Sequence, residues 1–140
     1  MDEKQLQKYW QAYTDAWRLI KNRDRVRETH VAEMVKKHDI GVMYRLFCLV
    51  VWQEIKRINN GGIPLEDSKY QEAFTSVWKI FKKYCNPDDS DVFWYGLVRE
   101  INDVGKLFKG TQFIRNMLVN VTLEEIERIW RIDHEQKRSQ

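Results

Sequence analysis

Two prolines and six glycines in 140 residues leave this chain few places to break a helix. Two cysteines supply neither a disulfide framework nor the spacing of a metal site. With no secretion signal beside them, they point to a reducing cytoplasm. The three histidines are scattered. His30 and His38 stand eight apart, too far for the i, i+4 pair of a zinc helix, and His134 lies in a polar tail. No Gly-rich phosphate loop follows a strand, no Gly-x-Ser-x-Gly is present, and neither cysteine has a histidine at a recognisable spacing. The first residues, MDEKQLQK, lack an apolar segment, so no signal peptide is expected. The longest apolar run, Leu46 to Trp52, is far short of the roughly 18 residues a membrane span needs. These shortages argue against metal, acyl-transfer and P-loop chemistry, and no cofactor is expected.

What the chain has is aromatic and charged. Hydrophobic residues make up 43% and charged residues 32%, the balance of a folded, water-exposed domain rather than a disordered one. Six tryptophans are many for this length. The net charge of +3 permits an anionic partner without demanding one.

Apolar side chains recur at helical spacing throughout. Leu6, Tyr9, Trp10, Tyr13, Ala16, Trp17 and Ile20 form one stripe on a helix over about 3–22. After a basic connector, Val31, Met34 and Val35 indicate a short helix ending near His38. Asp39 is placed to cap a third, apolar almost all round, that runs through Val42, Met43 and Leu46 to Ile58. Asn59-Asn60-Gly61-Gly62-Ile63-Pro64 ends it. A fourth helix carries Tyr70, Phe74, Val77, Trp78 and Phe81. A fifth carries Phe93, Trp94, Leu97, Ile101, Val104 and Phe108. From Thr111 to about Glu135 the spacing favours one long helix, kinked at most, although Thr122 with Glu125 reads as a capping box. Cys48 is expected in the core, and Cys85 partly exposed at a helix end.

The chain also repeats itself. Lys8-Tyr9-x-x-Ala12-Tyr13-Thr14-x-x-Trp17-Arg18 matches Lys69-Tyr70-x-x-Ala73-Phe74-Thr75-x-x-Trp78-Lys79 without a gap. Gln53-Glu54-Ile55-Lys56-Arg57-Ile58 resembles Glu124-Glu125-Ile126-Glu127-Arg128-Ile129. The expectation is a single all-α domain over 1–140. It would hold about six helices as two tandem three-helix repeats, about 3–59 and 67–135 with a linker over 59–66, packed around a pseudo-twofold axis.

The string Lys69-Tyr70-x-x-x-Phe74-x-x-x-Trp78-Lys79-x-x-Lys82-Lys83-Tyr84, followed by Asp88-Asp89, Trp94, Phe113, Met117 and Glu124 to Arg128, resembles small uncharacterised helical proteins. These occur in genomes and prophages of low-GC Gram-positive bacteria. The resemblance is one of aromatic spacing, mainly in the second half. It implies a phage or mobile-element origin and brings no activity or site with it.

Candidate sites lie where the two copies disagree. Trp10 has the polar Gln71 as its counterpart, so one copy offers a large aromatic where the other does not. Trp130 is a second candidate anchor. Arg18, Lys21, Arg23, Arg25 and Arg27 gather at the first connector, whereas the equivalent connector carries Asp88, Asp89 and Asp91. The basic corner would suit phosphate or a nucleic-acid backbone, or the acidic corner of another copy. Glu100 and Asp103, three apart, are the weak metal candidate. They are similar to half the motif of all-α nucleotide pyrophosphatases, but Glu28 and Glu33 are five apart, Glu124, Glu125 and Glu127 read as a solvated face, and the other half is missing. No metal-dependent hydrolysis is therefore expected. The leading expectation is a cytoplasmic, non-enzymatic interaction protein that binds a protein partner or itself. A binder of an anionic nucleotide-like molecule comes second, and a nucleic-acid binder acting through the basic connector comes last.

Overall fold

Every regular element is helical in the computed structural model, which describes residues 1–38, 41 and 46–138 without the side chain of Phe47. In order these are α1 (Glu3–Lys21), a short 3-10 turn (Arg23–Arg25), α2 (Glu28–Lys37) and a π-helical stretch, π1 (Leu46–Val51), that continues into α3 (Trp52–Asn59). There follow α4 (Asp67–Tyr84), α5 (Asp91–Leu107) and α6 (Gln112–Arg115), which runs through π2 (Asn116–Leu123) into α7 (Glu124–Arg138). No strand occurs among the described residues, and the fold is all-α. The cap expected at Asp39 and the stripe positions Val42 and Met43 lie outside the described residues.

The chain forms two compact units, Asp2–Thr75 and Ser76–Gln140 with Met1. The division falls within α4, so the Asn60–Gly62 turn is internal to the first unit.

In the first unit the Asp2 carboxylate accepts from the Gln5 amide at 2.8 Å and caps α1. Of the stripe predicted for α1, Tyr9, Tyr13, Ala16 and Ile20 are buried, with Ala12 beside them, whereas Leu6 and Trp17 are half-buried and Trp10 is exposed. π1 packs against α1 and α2. The turn after α3 needs Gly61 at φ +94°, a conformation that costs a side-chain-bearing residue strain.

In the second unit the Ser90 hydroxyl accepts from the Phe93 amide at 3.2 Å and starts α5. Leu97, Ile101 and Phe108 form its buried stripe. α5 packs against π2.

The π-helical stretches follow from the spacing of the apolar residues. Along the last segment the buried positions come in pairs every four residues: Phe113-Ile114, Met117-Leu118, Val121-Thr122 and Glu125-Ile126. An α-helix completes a turn in 3.6 residues, so each four-residue step overshoots by about 40°. Three such steps would carry the last pair about 120° away from the first. The wider i→i+5 turn of a π-helix falls short of a full turn in four residues and cancels that drift. The same pattern, Val50-Val51 then Glu54-Ile55, accompanies π1.

The last segment runs on as one helical segment, as its spacing favours, with Thr122 buried inside π2 and no new helix N-terminus there. Two expectations need correction. Glu125, expected on a solvated face with Glu124 and Glu127, is buried and bonded to the Arg128 guanidinium, because the four-residue period places it inside. The cysteines exchange places: Cys85 is buried with its thiol donating to the Lys82 carbonyl, whereas Cys48, within π1, is only half-buried. Burial pushes the Cys85 thiol above its ordinary pKa.

Candidate interaction surfaces

The flank of α1 that carries Trp10 builds an open groove in the first unit. Trp10, Tyr13, Thr14 and Trp17 recur at i, i+3, i+4 and i+7, and so share one helical face. Gln71, Phe74 and Thr75 do the same on the first half of α4. Together they line a cavity of about 230 Å³. Trp17 meets Phe74 with ring centroids 6.0 Å apart and planes at 52°. Trp10 is 41% exposed and forms one open edge of the groove. The Thr14 hydroxyl is turned back to the Trp10 carbonyl at 2.8 Å. Among the described residues, no charged side chain lines the groove. Trp10 and Gln71, the pair at which the two copies disagree, therefore belong to one surface.

Trp130 is placed differently. Its indole N–H donates to Asp89 at 2.7 Å, one face stacks on His134 at 4.2 Å, and its edge meets Trp94 at 6.3 Å. The indole N–H of Trp94 donates to the Asp88 carbonyl at 2.9 Å. The two tryptophans flank a small cleft completed by Glu127 and Arg131. Trp130 is thus pinned by neighbours. Of the acidic corner, Asp89 also lies 3.7 Å from His134, and Asp88 accepts from the Ser90 amide and hydroxyl. Those bonds hold the Asp88 carboxyl below the usual range. Asp91 is exposed in the first turn of α5.

The basic connector is partly neutralised within its own unit. Arg18 pairs with Asp15 at 3.3 Å. Arg23 pairs with Asp67 at 3.0 Å and sits over the Tyr70 ring, 5.8 Å from its centroid. Lys21, Arg25 and Arg27 are exposed, and none of the three lines the aromatic groove. Glu100 of the metal candidate accepts from Lys83 at 3.1 Å, while Asp103 lies on the outer side of α5. Among the described residues, no three His, Cys, Asp or Glu side chains gather as a metal-holding group.

Sequence reasoning missed two buried charge networks. Asp15 takes a 2.6 Å bond from His38 and a 3.3 Å contact from Lys37. Burial alone would raise the Asp15 carboxyl, but the bonds from His38 and Lys37 outweigh it and hold the group below the ordinary aspartate range. Glu54 accepts from Arg57 at 2.6 Å and from the Tyr70 hydroxyl at 2.8 Å. Burial, reinforced by the bond to Glu54, pushes Tyr70 up to about 12. A glutamate with arginine three residues on, inside an apolar period of four, was the available signal. Both networks tie segments of the first unit together.

A further surface occupies the outer side of α5. Val92, Tyr95 and Val98 are exposed there. Together with Arg99, Asn102 and Lys106 they line a shallow depression. It shares Asn102 and Lys106 with a groove of about 770 Å³ that Lys109, Arg115 and Asn116 complete.

Comparison with family models, curated proteins and solved structures finds no match for this chain. Among the described residues no helix is long and apolar enough to cross a membrane.

Proposed function

We propose that this chain is a non-enzymatic interaction protein that docks a segment of a protein partner in the Trp10–Gln71 groove. The observation that carries the reading is the lining of that groove: aromatic rings from both helices, one amide and two threonines, with no charge among the described residues. Such a lining takes an apolar or aromatic side chain and leaves Gln71 to bond a neighbouring backbone group. At about 230 Å³ the groove is smaller than the roughly 300–1,000 Å³ of small-molecule sites. The lack of a lining cation beside the rings counts against the second reading, an anionic nucleotide, because phosphate would have no partner there. The dispersed connector likewise gives little support to nucleic acid.

Two further readings stand beside it as proposals. A duplicated origin is supported by Glu54-Arg57 and Glu125-Arg128, each a buried glutamate with arginine three residues on, each following a π-helical stretch. A cytoplasmic location and a phage or mobile-element origin rest on the free thiols and the aromatic spacing.

The test compares the intact chain with Trp10→Ala and Gln71→Glu in affinity capture from the source cells, alongside tryptophan fluorescence with a nucleotide panel. A partner retained by the intact chain and lost by both variants is expected, with no change in fluorescence on adding nucleotides. Saturable quenching by a nucleotide would instead favour the second reading, and equal capture by all three proteins would remove the groove from consideration.

A further inference from the structure

We infer that the groove between α5 and π2 binds a small phosphate ester whose remainder carries hydroxyl groups, of the sugar-phosphate class. The inference is independent of the Trp10 groove, since this site lies wholly within the second unit. It starts from positive charge that nothing neutralises. Lys106, Lys109 and Arg115 line the groove, and among the described residues no carboxylate does. None of the three is ion-paired among the described residues. By contrast Arg23, Arg57, Lys83 and Arg128 each meet a carboxylate.

Helix electrostatics accounts for one of these cations and not for the other two. Lys106 stands in the last turn of α5, where a positive side chain complements the helix dipole. Arg115 stands in the first turn of the helical segment that opens at Gln112, where the dipole disfavours a cation. Its guanidinium lies against Gly110, where a Cβ would come 3.4 Å from Nη2. Lys109 follows the α5 C-cap at φ +57°. There the Gly110 amide donates to the Gly105 carbonyl at 2.8 Å and the Lys109 amide to the Lys106 carbonyl at 3.0 Å. Glycine usually makes this closure. Lys109 is the one non-glycine residue with positive φ among the described residues, and it strains the backbone where glycine would not. The fold alone therefore favours neither Lys109 nor Arg115.

The wall formed by α6 and π2 supplies amide donors. Gln112, Asn116 and Asn120 recur every four residues, and the π-helical stretch keeps them in one row as it keeps the buried pairs inside. Gln112 Nε2 donates to Asn116 Oδ1 at 2.8 Å, and Asn120 Nδ2 donates to the same oxygen at 3.0 Å. With its oxygen held from both sides, the Asn116 amide keeps its N–H groups for a ligand. On the other wall Asn102, Lys106 and Lys109 share one face of α5, at i, i+4 and i+7.

Cations and amide N–H groups around one cavity bond the oxygens of a phosphate, and the remaining amide oxygens accept from hydroxyl groups beside it. The groove holds about 770 Å³, within the roughly 300–1,000 Å³ of small-molecule sites. Among the described residues no aromatic ring lines it, so a nucleobase has nothing to stack on. A nucleic-acid strand needs a longer basic track. The adjoining depression on α5 interrupts that track, because it sets Asp103 beside Arg99 and otherwise turns to Val92, Tyr95 and Val98.

The experiment is isothermal titration calorimetry of the full chain in low salt with glucose-6-phosphate, glycerol phosphate, inorganic phosphate, glucose and a short single-stranded oligonucleotide. The variants are Lys106→Gln, Lys109→Gly, Asn116→Asp and, as a charge control, Lys137→Gln, which is exposed near the end of α7 and lines no part of the groove. Circular dichroism and thermal melting check that each is folded. The two esters should bind saturably with a Kd of about 1 mM or tighter, inorganic phosphate more weakly, and glucose without measurable heat. Lys106→Gln should weaken ester binding about tenfold. Asn116→Asp should weaken it further, since the new carboxylate repels phosphate while still accepting from Gln112 and Asn120. Lys109→Gly should lose affinity without melting lower than the intact chain, because glycine relieves the backbone strain. Lys137→Gln should bind as the intact chain does. The inference is overturned if neither ester binds saturably at about 10 mM, if Asn116→Asp binds normally, or if Lys137→Gln loses as much affinity as Lys106→Gln. Inorganic phosphate binding as tightly as the esters would overturn the choice of an ester, and tighter binding of the oligonucleotide would overturn the choice of a small ligand. No tryptophan lines this groove among the described residues, so the fluorescence test of the Trp10 groove is read separately.

Discussion

Replacing Tyr70 by Phe removes one oxygen atom from a site with no room for water to replace it. Tyr70 is 0% exposed and Glu54 3%. The hydroxyl donates to Glu54 at 2.8 Å and accepts from the Leu65 amide at 3.2 Å. A hydrogen bond to a charged group contributes about 1.5–3 kcal/mol, and a buried partner left unsatisfied costs its full desolvation. The ring packing is unchanged by the substitution. The expected loss is thus about 2–3 kcal/mol near neutral pH, which for a chain of this size lowers the melting temperature by roughly 6–10 °C. Burial, with the bond to Glu54, pushes Tyr70 up to about 12 against 10 ordinarily. The folded state holds the proton more tightly, so about 3 kcal/mol of stability present below pH 10 is lost as pH rises from 10 towards 12. Urea denaturation of the intact chain, Tyr70→Phe, Glu54→Leu and the double variant measures the coupling. The double variant should lose less than the sum of the singles, because removing both partners leaves neither member of this pair facing an empty place. A loss below about 0.5 kcal/mol for Tyr70→Phe, or strict additivity in the cycle, would refute the account of this network.

Asp15 gives a prediction of opposite sign. Its carboxyl is held below the ordinary aspartate range by His38 and Lys37 against the effect of burial. Its contribution is therefore present above that range and lost as pH falls below about 4. Thermal unfolding between pH 6 and pH 3 should show a shallower acid limb for Asp15→Asn than for the intact chain, and parallel limbs would contradict the pairing. Two glycines should respond in opposite directions to alanine. Gly61, at φ +94° with open space around it, should lose about 1 kcal/mol through backbone strain alone. Gly105 lies within α5, and a Cβ there meets Leu118 Cδ1 at an ordinary 3.9 Å, so Gly105→Ala should gain about 0.5–1 kcal/mol. Urea midpoints of the two variants settle the signs.

The helices were legible because their stripes follow a 3.6-residue period and their ends carry strong signals. Asn60-Gly61-Gly62 terminates α3 as expected, while the caps at Asp2 and Ser90 are local signals that the reading of the stripes had not singled out. The groove was half legible. The mismatch of Trp10 with Gln71 marked the surface, but only the geometry shows that Trp17 and Phe74 join it. The π-helical stretches escaped notice because spacings of three and four satisfy an α-helix locally. The difference accumulates only over several turns, as between Phe113 and Glu125. Glu125 was misread for the same reason, since charge suggests solvent unless the period is followed. The outer face of α5 was hidden because Val92, Tyr95 and Val98 read as scattered residues beside a strong inner stripe.

The π-helical stretch at Asn116–Leu123 makes the end of the chain sensitive to length as well as to composition. Deleting one residue from it, with relaxation to ordinary α geometry, leaves eleven steps of about 100° between Phe113 and Glu125, about 20° past three full turns, and keeps the same side inward, whereas inserting one residue would rotate everything downstream by about 100° around the helix axis. Ile126 would then swing out of the interior. The stretch therefore works as a phase adjuster. Most substitutions within it are matters of packing, but a one-residue insertion would change which side of the final helix faces inward.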